Sequence, residues 1–461
     1  MIHLILLSGG SGTRLWPLSN ETRSKQFLKV LRDDAGNHVS MVQRVFSQVS
    51  KIPAEIGITI ATGESQRSSI DAQLEGSPVG YSLVVEPLRR DTAPAILLAC
   101  ANIFWEQCGS EEDTVIVMPI DTFADQEYYD KVVDLDHAVQ NDSARLVLLG
   151  VKPTYPSAKY GYIVPASANW ERVSEATSLM PVPVQSFVEK PAEQEAEVLI
   201  SEGALWNCGV FAFKLGYILN TIRACADVNS FEALCSVYSS LPKTSFDYAV
   251  VEKESSIAVI PYVGTWKDLG TWNTLTDEMS DLADGRVVGI SSCKNTHAVN
   301  ELNIPLIALG LEDVVVVATP DGILVSDKEA SAQMRPYVSE AAASRPMYER
   351  RQWGEYRVLD LGVYEDGRKA LTKELVIDAG RQLSYQRHMH RTEVWTIVSG
   401  EGAIALDGSV FQVQPGSVVT INAGQRHGVR AKSQLRVIEV QLGDALEEND
   451  IERFEFFWNE I

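Results

Sequence analysis

A chain of 461 residues is long for one domain and fits two or three. With 45% apolar and 22% charged residues it has the make-up of a soluble globular protein, and no apolar run approaches the roughly 20 residues needed to cross a bilayer. A net charge of −22 argues against bulk electrostatic binding to nucleic acid or to an anionic membrane, so neither is expected as a partner. The first apolar run, Ile2 to Leu7, has no charged region ahead of it and leads straight into a glycine loop. It reads as a buried strand, and the expected location is cytoplasmic.

That loop is Leu7-Ser8-Gly9-Gly10-Ser11-Gly12-Thr13-Arg14-Leu15-Trp16-Pro17-Leu18-Ser19. Three glycines in four positions allow a tight turn and bring backbone N–H groups close to a phosphate chain. Arg14 adds a fixed cation, and Lys25 follows in Ser24-Lys25-Gln26-Phe27. With Arg23, Arg89 and Arg90 they gather positive charge in an acidic chain, which suits a small anionic substrate. The order of residues fits neither the Walker pattern G-x-x-x-x-G-K-[ST] nor the dinucleotide fingerprint G-x-G-x-x-G. It resembles the signature of sugar-1-phosphate nucleotidyltransferases, G-G-x-G-x-R-L-x-P-L followed by a lysine.

From residue 1 to about 280, strand-like and helix-like stretches alternate. Ile56 to Thr62, Leu83 to Glu86, Val115 to Met118 and Leu146 to Leu149 read as strands; 40–49, 93–107 and 126–140 have helical apolar spacing. The alternation predicts an α/β fold, a parallel or mostly parallel sheet with helices on both faces and ligands at the carboxyl ends of its strands. Asp121 falls at such an end, in Met118-Pro119-Ile120-Asp121.

Further motifs in this half resemble the mannose-1-phosphate guanylyltransferase family. They are Glu86-Pro87-Leu88-Arg89-Arg90-Asp91-Thr92-Ala93-Pro94, Tyr160-Gly161-Tyr162-Ile163, Phe187-Val188-Glu189-Lys190-Pro191 and Trp206-Asn207-Cys208-Gly209. Phe246-Asp247-Tyr248 and Trp266-Lys267-Asp268-Leu269-Gly270 complete the set, in the family's order. The resemblance implies a Rossmann-like nucleotidyltransferase domain over 1–280 that makes GDP-mannose from GTP and mannose 1-phosphate. Both substrates are anions, and the attacking phosphate needs no general base; what the reaction needs is backbone N–H donors, cations and Mg²⁺ held by carboxylates. Gly9, Gly10, Ser11, Gly12 and Thr13 would wrap the triphosphate, with Arg14 and Lys25 neutralising it. Asp121 and Asp268 match the paired Mg²⁺ ligands. Arg90 and Asp91 fall in the base-binding segment, and Gly161, Glu189, Lys190, Asn207 and Asp247 in the sugar pocket. Two departures stand out: the family's G-R-N-T is Arg89-Arg90-Asp91-Thr92 here, and its M-P-x-D-H ends in Thr122. The same transfer with another sugar phosphate or nucleotide stays open, as does a homo-oligomeric state.

Between about 281 and 340 the helical spacing gives way to short β-rich pieces and turns such as Thr319-Pro320-Asp321-Gly322. The family has a β-helix-like connector here. From 345 to 461, short β-branched runs separated by turns such as Asp407-Gly408 and Pro415-Gly416 predict an all-β barrel. His388-Met389-His390, Glu393 and His427 resemble the two cupin motifs, and the region resembles the family's C-terminal isomerase domain. On a strand, His388 and His390 would point to one face, with Glu393 and His427 completing a site for a divalent transition metal. The family reads H-H-H-R-x-E-H-W, whereas this chain has Met389 and Val394 in place of two imidazoles. The expectation is therefore a metal site with weak or no mannose-6-phosphate isomerase activity; the alternative is a bifunctional enzyme.

Overall fold

The computed structural model describes the chain except for residues 11, 12, 21, 22, 34, 78, 168, 169, 171–180, 226, 227, 342–344, 365, 366, 445, 448, 449, 456, 457 and 459–461. It divides into two compact units, Met1–Ser11 with Ser24–Ser280, and Gly12–Arg23 with Asp281–Ile461. The sequence placed boundaries near 280 and 340. It gave no sign that residues 12–23 group with the second unit.

The first unit is built outward from the strand Ile2–Ser8. Leu4 and Leu6 pack into one apolar cluster with Val42, Phe46, Ile60 and Met118, while Ile5 packs into another with Ile96, Val117 and Phe213. A strand buried on both faces reads as a continuous apolar run, which is why it was visible in the sequence. It lies between Ile56–Gly63 and Thr114–Pro119, parallel to both, with Leu6 opposite Ile60 and Met118. The nine-stranded sheet runs in the order Ser82–Glu86, Ile56–Gly63, Ile2–Ser8, Thr114–Pro119, Leu205–Lys214, Leu146–Val151, Ile257–Tyr262, Val182–Val188, Gly161–Pro165.

The sheet is mixed. Leu205–Lys214 runs antiparallel to both neighbours, and Val182–Val188 antiparallel to Ile257–Tyr262 and Gly161–Pro165. Leu205–Lys214 is mostly buried and Ile257–Tyr262 wholly so, and in such strands direction leaves no trace in the apolar pattern. Helices Met41–Val49, Thr92–Trp105 and Gln126–Gln140 fall where the spacing predicts them. Glu64–Leu74 was not foreseen, because its buried face is only Gln66, Ile70 and Leu74. No helix among the described residues is long and apolar enough to cross a membrane.

In the second unit, Ala283–Gly285, His297–Asn300 and Val314–Thr319 pair in parallel without intervening α-helices, and Gly322–Asp327 closes a hairpin on the last. A second parallel rung, Val287–Val288 with Leu306–Ile307, gives the region its β-helix character. The segment 12–23 is fastened to it. Arg23 makes a forked pair with Glu301 at 2.8 and 2.7 Å and lies over the Tyr348 ring. The Thr319 hydroxyl donates to the Pro17 carbonyl, and Asn20 donates to Asp321. Gly322 is needed here, since a Cβ would stand 2.5 Å from Trp16 Cζ2.

The rest of this unit is two antiparallel sheets of six and five strands around a core that includes Leu371, Trp395, Ile404, Val429 and Val437. Along Arg391–Ser399 the inward residues are Arg391, Glu393, Trp395 and Ile397; along Leu435–Gly443 they are Leu435, Val437, Glu439 and Gln441. The barrel interior is thus apolar at one end and charged at the other.

Leu6, fully buried between Ile60 and Met118, is the most direct test of the first core. Leu6→Ala should cost about 2–5 kcal/mol, read as a lower urea midpoint. A loss below about 1 kcal/mol would mean the strand is not the centre of that core.

Candidate active site and metal centre

A cavity of about 380 Å³ opens where the strands Ile2–Ser8, Ile56–Gly63, Ser82–Glu86 and Thr114–Pro119 end, lined among others by Gly9, Gly10, Gln66, Arg89, Asp91 and Asp121. Gly10 has φ +121°, and a Cβ at Gly9 or Gly10 would meet nothing within 4 Å, so the loop backbone stands open to an approaching group. Ser11 and Gly12 lie outside the described residues, as does the Thr13 side chain. Arg14 sits exposed on the short turn Thr13–Leu15, in the segment grouped with the second unit.

Beside the cavity three charged residues far apart in sequence meet. Lys25 Nζ lies 2.8 Å from Asp121 Oδ2 and 2.9 Å from Asp268 Oδ1. The ribbon Thr122–Ala124 with Trp266–Asp268 brings the carboxylates together, because its register sets Asp268 opposite Thr122, next to Asp121. Burial would lower the Lys25 pKa, but the two aspartates outweigh it and hold the ammonium charged well above its usual range. Two hard oxygen donors aimed at one cation are the donor set that Mg²⁺ prefers.

A second group gathers Gly161, Glu189, Asn207 and Asp247. Asn207 Nδ2 donates to Asp247 Oδ1 at 2.7 Å, and Gly161 pairs with Asn207 across neighbouring strands. A Cβ at Gly161 would collide with Glu189 Oε2 and stand 2.9 Å from Phe187 Cζ. Glu189 Oε2 is buried without a hydrogen-bond partner among the described residues, an acceptor suited to a hydroxyl. Lys190 pairs with the other Glu189 oxygen and is half exposed. Burial, and then Glu189, push the Asp247 carboxyl up to about 6.

Arg90 requires correction. Its guanidinium donates to the carbonyls of Leu241, at 2.6 Å, and Ser239, and it is Arg89 that lines the cavity. Asp91 does line it, at φ +69°, with Oδ1 accepting from Thr92 N at 2.8 Å to cap helix Thr92–Trp105. Sequence reasoning missed Gln66 and Glu86 as cavity residues. Glu86 stood inside a quoted motif; Gln66 gave no signal.

In the second unit His388, Glu393 and His427 are buried and offer ligand atoms that all lie within 4.8 Å of one another. The strand Tyr385–Arg387 ends before His388, so the alternation that would align His390 with it does not apply. His390 is exposed and outside the cluster, contrary to expectation. His388 Nδ1 faces the Asp450 carbonyl and His427 Nδ1 the Gln425 carbonyl at 3.1 Å. With Nδ1 protonated, each ring turns an Nε2 lone pair to the cluster. His427 Nε2 and Glu393 Oε2, 3.4 Å apart, are both buried without hydrogen-bond partners among the described residues. Two facing lone pairs call for a cation between them, so these residues fit a divalent transition metal. The Gln386 amide nitrogen lies 3.3 Å from His388 Nε2, and its oxygen accepts from the Ser384 hydroxyl at 2.7 Å. Met389 is exposed, and Val394 lies on the opposite strand face from Glu393.

Residues 3–285 match the Nucleotidyl transferase family and 339–456 the Mannose-6-phosphate isomerase C-terminal family. The xanthan biosynthesis protein XanB of Xanthomonas campestris is 33% identical, over 98% of this chain and 97% of its own. The mannose-1-phosphate guanylyltransferase of Escherichia coli is 28% identical, over 98% of each. The crystal structure of mannose-1-phosphate geranyltransferase from Thermus thermophilus superposes with a TM-score of 0.57 at 27% identity, covering 74% of this chain and 98% of that one.

The raised Asp247 carboxyl has a signed consequence. Between about pH 4, where an unfolded aspartate titrates, and about 6, the folded protein holds a proton that the unfolded chain has lost. The parent protein should therefore lose stability across that interval relative to Asp247→Asn, which stays neutral. Thermal denaturation over a pH series should show the gap widen and then hold steady; a gap that stays flat would contradict the assignment.

Proposed function

Because the chain belongs to the nucleotidyl transferase family, in the group that carries a mannose-6-phosphate isomerase-type C-terminal domain, and is an enzyme of that group, we propose that it forms GDP-mannose and pyrophosphate from GTP and mannose 1-phosphate. The observation that carries this reading is the meeting of Lys25, Asp121 and Asp268 at the edge of a cavity floored by the glycine loop. A phosphate oxygen of the sugar phosphate attacks the α-phosphorus in line, and the bond to the β-phosphate breaks as pyrophosphate leaves. No proton need be removed from the nucleophile, so the work is to hold anions together.

The backbone N–H groups of Gly9 and Gly10, continued by Ser11, Gly12 and Thr13, receive the triphosphate. Asp121 and Asp268 would hold Mg²⁺, which supplies positive charge to the phosphates. Lys25, released from the two carboxylates, and Arg14 neutralise the triphosphate. Asp91 faces the base, and Glu189, Asn207 and Asp247 accept from or orient sugar hydroxyls, with Gly161 leaving room for them. Lys190 meets the sugar phosphate.

Pyrophosphate release measured across a small matrix of nucleoside triphosphates and sugar 1-phosphates should peak for GTP with mannose 1-phosphate and require Mg²⁺. A maximum at another pair overturns the substrate assignment; no turnover with any pair overturns the reaction. Lys25→Ala and Asp121→Ala should each lower kcat/KM by about 100-fold or more, as removal of charge stabilisation does.

A second activity is favoured by where Met389 and Val394 lie. Neither faces the cluster of His388, Glu393 and His427, so their substitution does not remove a ligand. We infer that this unit interconverts mannose 6-phosphate and fructose 6-phosphate, the proton that leaves one of the two adjacent sugar carbons being returned to the other; His388, Glu393 and His427 would hold a divalent metal, which would supply polarisation of the sugar carbonyl. A coupled assay with Zn²⁺, Co²⁺ or Mn²⁺ should give conversion that survives His390→Ala and disappears in His427→Ala. Metal-loaded protein without conversion would refute it.

A further inference from the structure

The side chain of Gln66 stands at the neck of the glycine loop, 1% exposed. Its Nε2 donates to the Gly10 carbonyl at 3.3 Å and to Ser24 Oγ at 2.8 Å. Its Oε1 accepts from Ser8 Oγ at 3.3 Å, Thr62 Oγ1 at 3.2 Å and Gln26 Nε2 at 3.3 Å. One amide thus joins the points where the chain leaves the first unit and returns to it, and anchors both to the ends of two strands. Ser24 also reaches back to the Gly10 carbonyl, at 3.5 Å.

We propose that Gln66 is a positioning residue that fixes the glycine-loop N–H donors and Lys25 relative to each other. Lys25 lies between Ser24 and Gln26, and Gly9 lies between Ser8 and Gly10, so four of the five residues held by the amide adjoin one that faces the phosphates, while Thr62 ties the amide to the neighbouring strand. A buried amide that uses both its donor and its acceptor sides cannot be replaced by an isostere offering one side only. Helix Glu64–Leu74 carries it, and the first of the three inward positions of that helix, Gln66, Ile70 and Leu74, is thus a hydrogen-bonding one.

The inference rests on the reading of the loop as a nucleotide site, and the experiment separates the two. GTP binding by calorimetry and steady-state kinetics are measured for the full-length parent, Gln66→Glu, Gln66→Met and Ser24→Ala. Gln66→Glu keeps the acceptor and loses both donors, Gln66→Met keeps the volume and loses everything, and Ser24→Ala removes one bond with a minimal change. Gln66→Glu and Gln66→Met should weaken GTP binding and raise the KM for GTP by about tenfold or more, with Ser24→Ala between them and the parent, while the KM for the sugar phosphate stays within about twofold. A merely structural role would lower Tm and leave the ratio of the two KM values unchanged, which overturns the proposal; if both Gln66 variants fail to fold, Ser24→Ala alone decides by the same ratio. A parent that binds no nucleoside triphosphate at all would instead overturn the proposed function.

Discussion

Two carboxylates held against one ammonium set the terms for the first unit. Asp121 and Asp268 would repel one another by a few kcal/mol at this spacing if left alone in a partly buried place, and Lys25 turns that repulsion into attraction. The three residues are drawn from a loop after the first strand, a strand end and a ribbon formed near the end of the unit. Each needs its own support: the sheet register for Asp121, the pairing of Thr122–Ala124 with Trp266–Asp268 for Asp268, and the clasp at Ser24 for Lys25.

Much of this was legible because the features that make it are local. Gly9 and Gly10 announce an exposed backbone, Lys25 follows at a fixed distance, and the apolar runs that form the central strands are unbroken. Asp268 was legible only through its motif, since nothing in its immediate neighbours says which strand it will face. Gln66 was invisible for a physical reason. A polar residue on a helix with few apolar neighbours reads as solvent-facing, and only the arrival of Ser8, Gly10, Ser24, Gln26 and Thr62 from other elements gives it a buried role. His390 failed in the opposite direction: a two-residue spacing aligns side chains only while the strand lasts, and this one stops at Arg387.

The barrel of the second unit shows how one strand can serve two purposes. Inward positions of Arg391–Ser399 pass from Trp395 and Ile397, which fill the core, to Glu393 and Arg391, which belong to the charged chamber. Arg391 donates to Glu393 Oε1 at 2.9 Å and lies 3.1 Å from His388 Nε2, so the chamber has its own resident cation. Glu439 sits further along the same interior, its carboxyl pushed up by burial and then by the charge of Glu393. Such a chamber is stable only if its charges remain nearly balanced.

The excursion of residues 12–23 into the second unit bears on how such a protein can have evolved. Chains of this size commonly arise by joining genes end to end, and residue 280 is the seam where a joint would be placed. Here that seam is not the whole boundary. The partners of Pro17, Asn20 and Arg23 are Thr319, Asp321 and Glu301, encoded some three hundred residues later. A recombination event that exchanged everything after residue 280 would leave a twelve-residue stretch near the amino terminus with foreign partners, unless both pieces were inherited together. The contacts of Arg23 with Glu301, Asn20 with Asp321 and Pro17 with Thr319 are kept only where both segments come from the same parent.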